Sequence, residues 1–142
     1  MSYDQKIITE KVHKQMVNTI NLVEASLKDI ASYDPKKEYD PKEQEPYDAL
    51  CDRFIRAVEI GLKFFRSYER LIAENSETLR DILNRMAKLD WISSTELWLK
   101  MRDVRNRIVH DYLPEDIAEI YEEIAGVFGG ELSALKAKEI KV

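Results

Sequence analysis

An all-α fold, an up-and-down bundle of about five helices, is what this sequence predicts, and three observations carry that expectation. Only four glycines and four prolines occur in 142 residues, 35% of the residues are charged, and apolar residues recur at three- and four-residue spacings over long stretches without breakers. Sandwiches and barrels need frequent turns and alternating patterns, so this composition favours helices. The length suits one compact domain spanning residues 1–142 around one core.

The first helix is expected from about Tyr3 to Ala31, on Ile8, Val12, Val17, Ile20, Val23, Leu27 and Ile30. His13 lies about 140° around that helix from Ile8, toward its polar face, which marks a surface histidine. A Pro-rich loop over residues 34–45 follows, with YDPK at Tyr33–Lys36 and again at Tyr39–Lys42. Asp-Pro steps start turns, and Tyr33 and Tyr39 are candidates for a partner contact.

The second helix is expected from about Pro46 to Ala73. Tyr47, Cys51, Phe54, Val58, Gly61, Phe65, Tyr68 and Ile72 draw one packing seam, with Leu50, Ala57, Phe64 and Leu71 beside it, so neighbours are expected on two sides. Gly61 in a helix interior costs about 1 kcal/mol against alanine, which implies close approach of another backbone. Opposite these seams Arg56, Lys63, Arg66 and Arg70 form a basic stripe. Asp52 and Glu59 stand four residues ahead of Arg56 and Lys63, the arrangement of helical ion pairs, so a solvated, ion-paired face is favoured over an RNA track.

Asn75 or Ser76 is expected to cap a third helix, about Glu77 to Lys88. Ser93 is expected to cap a fourth, with Glu96 reaching back in a capping box. That helix runs to about His110. Pro114 opens a fifth, which Gly129-Gly130 ends near Phe128, leaving residues 129–142 as a tail or short terminal helix.

Charge and cysteine content narrow the function classes. A net charge of −5 argues against coating nucleic acid through bulk electrostatics, so any RNA contact must come from a confined cluster of Arg and Lys. No run of 18 apolar residues is present, so no membrane span is expected. The opening MSYDQKIITEK lacks a basic start followed by an apolar stretch, so no secretory signal is expected. The lone Cys51 falls on the apolar side of its helix, where a small buried thiol fits, and a reducing cytoplasm is the expected setting.

The fourth helix carries R-N-R-I-V-H-D-Y, residues 105 to 112, with one of the two histidines in the chain. With Leu97 set at 0°, Met101, Val104 and Ile108 fall within about 40° and form the expected core stripe. Trp98, Arg105, Val109 and Tyr112 form a mostly apolar flank suited to a subunit interface. Arg105 on that flank either snorkels, pairs with an acid, or meets something anionic across an interface. Arg102, Asn106 and His110 line a polar stripe. Arg105 and His110 diverge by about 140°, so they reach one substrate only if the arginine bends around, the helix end re-aims the histidine, or a two-fold dimer supplies both. Without further information, a surface or capping role for His110 is the ordinary reading.

The segment resembles the Arg-x4-His-x-Tyr motif of HEPN-domain proteins, specifically the HepT-like toxins: Arg105, four residues, His110, one residue, Tyr112. Its place late in the fourth helix of an all-helical chain agrees. The resemblance implies a homodimer whose motif helices line a cleft where RNA is cut without a metal or cofactor. It also implies a partner minimal nucleotidyltransferase that neutralises the toxin by transferring AMP to the motif tyrosine. Arg105 and His110 would then be catalytic, Tyr112 the modified residue, and Asn106 and Arg102 supporting residues. Similar bundles also serve as non-catalytic, substrate-binding partners of small nucleotidyltransferases. A bundle used only for assembly is a further alternative.

Overall fold

The computed structural model describes residues 2–110 and 116–141, with the side chains of Ser2 and Tyr3 excepted. Its elements are α1 (Ser2–Asp29), α2 (Pro41–Leu71), α3 (Leu79–Lys88), α4 (Thr95–His110), α5 (Ile117–Glu123) and α6 (Gly129–Lys136), with one π-turn, Ile124–Phe128, joining α5 to α6. No strand occurs among the described residues. Because α5, the π-turn and α6 follow without a gap, the described residues form a bundle of five rods, as the sequence predicts.

α1 and α2 make the central antiparallel hairpin. Near its open end, Thr9 and Gln5 share hydrogen bonds with the hydroxyl and carbonyl of Ser67. Further along, Arg53 donates to the Leu22 carbonyl and to Ser26, and the Tyr47 hydroxyl donates to the Ala31 carbonyl at 2.7 Å. Both seams of α2 are buried, Ile72 alone being half-exposed, so the helix packs on two sides as its spacing implies. In α1 the buried line is Thr9, Val12, Met16, Ile20 and Val23, whereas Ile8 is exposed and Val17 half-buried. The slip arises because Thr9 satisfies its hydroxyl on Ser67 and takes a core position that hydrophobicity alone assigns to Ile8.

Several boundaries differ from expectation for local chemical reasons. α2 begins at Pro41 because Asp40 accepts from the Glu43 amide while Glu43 accepts from the Asp40 amide, a complete capping box, so residues 41–45 are helical and the loop is shorter. Pro46 lies inside the helix. Thr78, rather than Asn75 or Ser76, caps α3 by accepting from the Asp81 amide. Ser94, not Ser93, accepts from the Leu97 amide at the start of α4, and Glu96 pairs with Arg80 instead of reaching back. Ser93 is held elsewhere: its amide and hydroxyl both donate to Glu131, which also accepts from the Trp98 indole.

Gly129-Gly130 does not end the last rod. Gly129 stays helical at φ −60°, and a β-carbon there would stand 2.6 Å from the Ile124 carbonyl and 3.0 Å from Leu27. Glycine at 129 therefore permits the π-turn and the close approach of α6 to α1. Of the two forms expected for residues 129–142, a tail or a short terminal helix, the structure has the helix, over Gly129–Lys136. His13 is not a plain surface residue: it is half-buried, its Nε2 lies 3.0 Å from the Lys138 carbonyl, and its ring packs against Phe64 and Trp91. Among the described residues no helix is long and apolar enough to cross a membrane.

Candidate functional site

α4 is seated by three buried side chains, Trp98, Met101 and Val104. Trp98 is the anchor. Its ring packs edge-on against Phe65, it lies against Gly61, where a β-carbon would come within 3.0 Å of the indole, and its N–H donates to Glu131 at 2.9 Å. The expected close approach at Gly61 is thus by a side chain, not a backbone. Trp98 is fully buried within the chain, which removes it from the apolar interface flank proposed for it. Exposed Val109 and half-buried Ile108 remain on the surface near the helix end.

With Trp98 inward, the next residue on that flank, Arg105, faces α2. It pairs with an acid. Its Nε donates to Glu59 Oε1 at 3.1 Å, its Nη2 contacts the same oxygen, and its Nη1 donates to Asn106 Oδ1 at 2.7 Å. The guanidinium is thereby oriented from two sides while the side chain keeps 28% of its surface open. Arg102 is exposed and makes no ion pair among the described residues. His110 is the last residue of α4 and is exposed. It stands about 7.5 Å along the axis from Arg105 and about 140° round it, so one chain does not bring the two to a common point by helix geometry alone. Tyr112, the expected modified residue, and Pro114, the expected start of the fifth helix, lie outside the described residues. The Arg107 guanidinium donates to Asp116 Oδ2 at 2.7 Å. Lys100 and Glu123, 2.7 Å apart, tie α4 to α5, and this contact raises the lysine pKa.

Glu59 is the residue that sequence reasoning misassigned. As the acid four residues before Lys63 it reads as a helical ion-pair partner, yet it turns to Arg105 across the α2–α4 contact. The available signal was the lone charge of Arg105 on an apolar flank, which demanded an acid without naming which.

A second feature lies elsewhere. Tyr33 and Tyr39 stack with centroids 4.7 Å apart, and Tyr47 and Tyr121 complete an aromatic cluster. A cavity of about 520 Å³ adjoins it, lined by residues including Leu27, Ile30, Tyr33, Tyr47, Tyr121 and Glu122. Among the described residues it shares no lining residue with the motif. The YDPK loop is thus packed against the bundle by its own tyrosines. No group of three or more His, Cys, Asp or Glu side chains suited to hold a metal occurs among the described residues.

The fourth helix of the bundle ends in an Arg-Asn-x3-His stretch that keeps Arg105 half-exposed and His110 exposed. Residues 10–139 match the family described as nucleotidyltransferase substrate binding protein like, and the chain belongs to this family, which is related to the HEPN proteins. A search of curated proteins found no match.

Proposed function

We propose that this chain is the RNA-cleaving, HepT-like member of a two-component pair whose other member is a small nucleotidyltransferase. The observation that carries the reading is the complete set Arg105, His110 and Tyr112 in a chain of a nucleotidyltransferase-partner family. The open, oriented Arg105 and the exposed His110 support it.

The chemistry assigned to the site is transesterification. The 2′-hydroxyl oxygen bonds to the adjacent phosphorus as its proton passes to a base. The phosphorus–5′-oxygen bond breaks as an acid protonates the leaving oxygen, giving a 2′,3′-cyclic phosphate and a 5′-hydroxyl. Histidine, with an ordinary pKa of about 6.5, serves either role near neutral pH. One His110 per chain does not serve both at once, so a homodimer supplies the pair. Arg105 from each subunit grips the phosphate, with charge-assisted hydrogen bonds that strengthen as the phosphorane develops. No metal or cofactor enters these steps. AMP on Tyr112 places bulk and negative charge beside that phosphate and repels RNA.

A second reading, a non-catalytic substrate-binding partner of the nucleotidyltransferase, is favoured by one observation: Glu59 occupies Arg105. Both readings are tested by treating the protein with the partner enzyme and ATP. Under the first, RNA cleavage is present before treatment and stops as adenylate mass accumulates on Tyr112, while Tyr112→Phe stays active and unlabelled. Absence of cleavage by unmodified protein, with the partner's transferase rate raised by its addition, would establish the second reading instead.

A further inference from the structure

The basic stripe of α2 changes meaning once its neighbours are placed. Glu59, Lys63, Arg66 and Arg70 fall within about 60° of one another around α2 and extend about 16 Å along it. Every acid three or four residues from Lys63, Arg66 or Arg70 is engaged elsewhere. Glu59 holds Arg105, while Glu69 and Glu74 hold Arg85, at 3.0 and 2.6 Å. Glu69 is buried and accepts from Ser76 as well. Lys63, Arg66 and Arg70 are therefore exposed without an ion-pair partner among the described residues, and each lies three or four residues from another cation. Like charges at these spacings repel, and the ion pairing that argued against a nucleic acid track holds only at Asp52–Arg56, 3.1 Å apart. The row runs along α2 toward Arg105, docked on Glu59, with exposed Arg102 one turn earlier on α4.

We infer that Lys63, Arg66 and Arg70 bind successive phosphates of single-stranded RNA and deliver the strand to Arg105. This rests on the proposed RNA-cleaving role, and it locates the substrate path. The row supplies the confined cluster that an acidic chain needs in order to hold RNA, with spaced point charges that suit a flexible phosphate backbone.

The test measures binding of a single-stranded RNA across a salt series in the His110→Ala background, so that cleavage does not interfere. Lys63→Gln/Arg66→Gln/Arg70→Gln is compared with a control of equal charge change, Lys6→Gln/Lys11→Gln/Lys14→Gln on the exposed side of α1. The expected result is an affinity loss of about tenfold or more at low salt for the α2 variant alone, with the slope of log K against log salt shallower by about 2, three contacts at about 0.7 each. Thermal melting of the α2 variant should match or exceed the parent, since repulsion is relieved. Equal, small losses in both variants would overturn the track and leave the RNA-cleaving reading standing. Unchanged RNA affinity with lost binding of the partner nucleotidyltransferase would make the row a protein interface. No RNA binding by the His110→Ala parent would overturn the track and the cleaving role together.

Discussion

Glu59 decides how Arg105 behaves. The two groups form a partly exposed ion pair, a kind that contributes roughly 0–1 kcal/mol to stability, so the carboxylate matters more as a competitor for the guanidinium than as a brace. Glu59→Gln keeps an acceptor oxygen and removes the charge. We expect it to melt within about 1 kcal/mol of the parent and to bind RNA more tightly. Weaker binding would show that Glu59 orients Arg105 for substrate instead. Cys51 offers a separate check: burial, with the nearby Asp48 charge, pushes its thiol up to about 12, so it stays protonated at any ordinary pH. Alkylation at pH 8 should proceed only as fast as the chain opens, and rapid labelling of native protein would contradict the packing. The two residues stand on either side of the limit of one-dimensional reading. The burial of Cys51 followed from its place on the seam of α2, whereas the partner of Glu59 depends on how two helices meet.

At the scale of elements, the helices were legible because their apolar periods are long, while several of their ends were not. Asp40 outcompetes the expected start near Pro46 because its box with Glu43 satisfies two amides at once, and Ser93 loses its cap role to Glu131. Gly129-Gly130 has the composition of a stop signal but serves a π-turn and a tight helix contact, which only the position of α1 reveals. The two glycines should therefore respond oppositely to alanine. Gly129→Ala meets a backbone carbonyl and should destabilise by about 1–3 kcal/mol. Gly130→Ala enters open space within a helix and should stabilise by about 0.5–1 kcal/mol. Paired thermal melts decide this, and equal shifts would count against the π-turn. The α1–α6 contact also has a pH signature. Hydrogen bonds from Lys136 and Ser133 lower the Glu24 pKa, so its stabilising contribution is complete above the ordinary carboxylate range and is lost as pH falls from there through the lowered folded-state value. Melting of Glu24→Gln should trail the parent at neutral pH, with the gap closing below about pH 4. A gap that widens in acid would reverse the sign and reject the assignment.

For the whole molecule, the described residues form five rods around one connected cluster of buried apolar side chains, and the polar groups of the candidate site lie at its edge. The fold class was readable from composition and spacing. The candidate site was readable only in part: periodicity separated Arg105 from His110 but did not say what each faces, and the motif alone supplied the chemistry. In the bundle, Arg105 is engaged by Glu59 and Asn106 while His110 ends α4 in solvent, and the proposed homodimer is what joins them. Cleavage of a single-stranded RNA by wild type and by His110→Ala, both in EDTA, tests that account most directly. We expect wild type to cut, leaving cyclic phosphate ends, and the variant to lose activity by at least about 100-fold, the lower range for an acid–base group. Equal cutting by the two, at matched folding, would contradict the central role of His110.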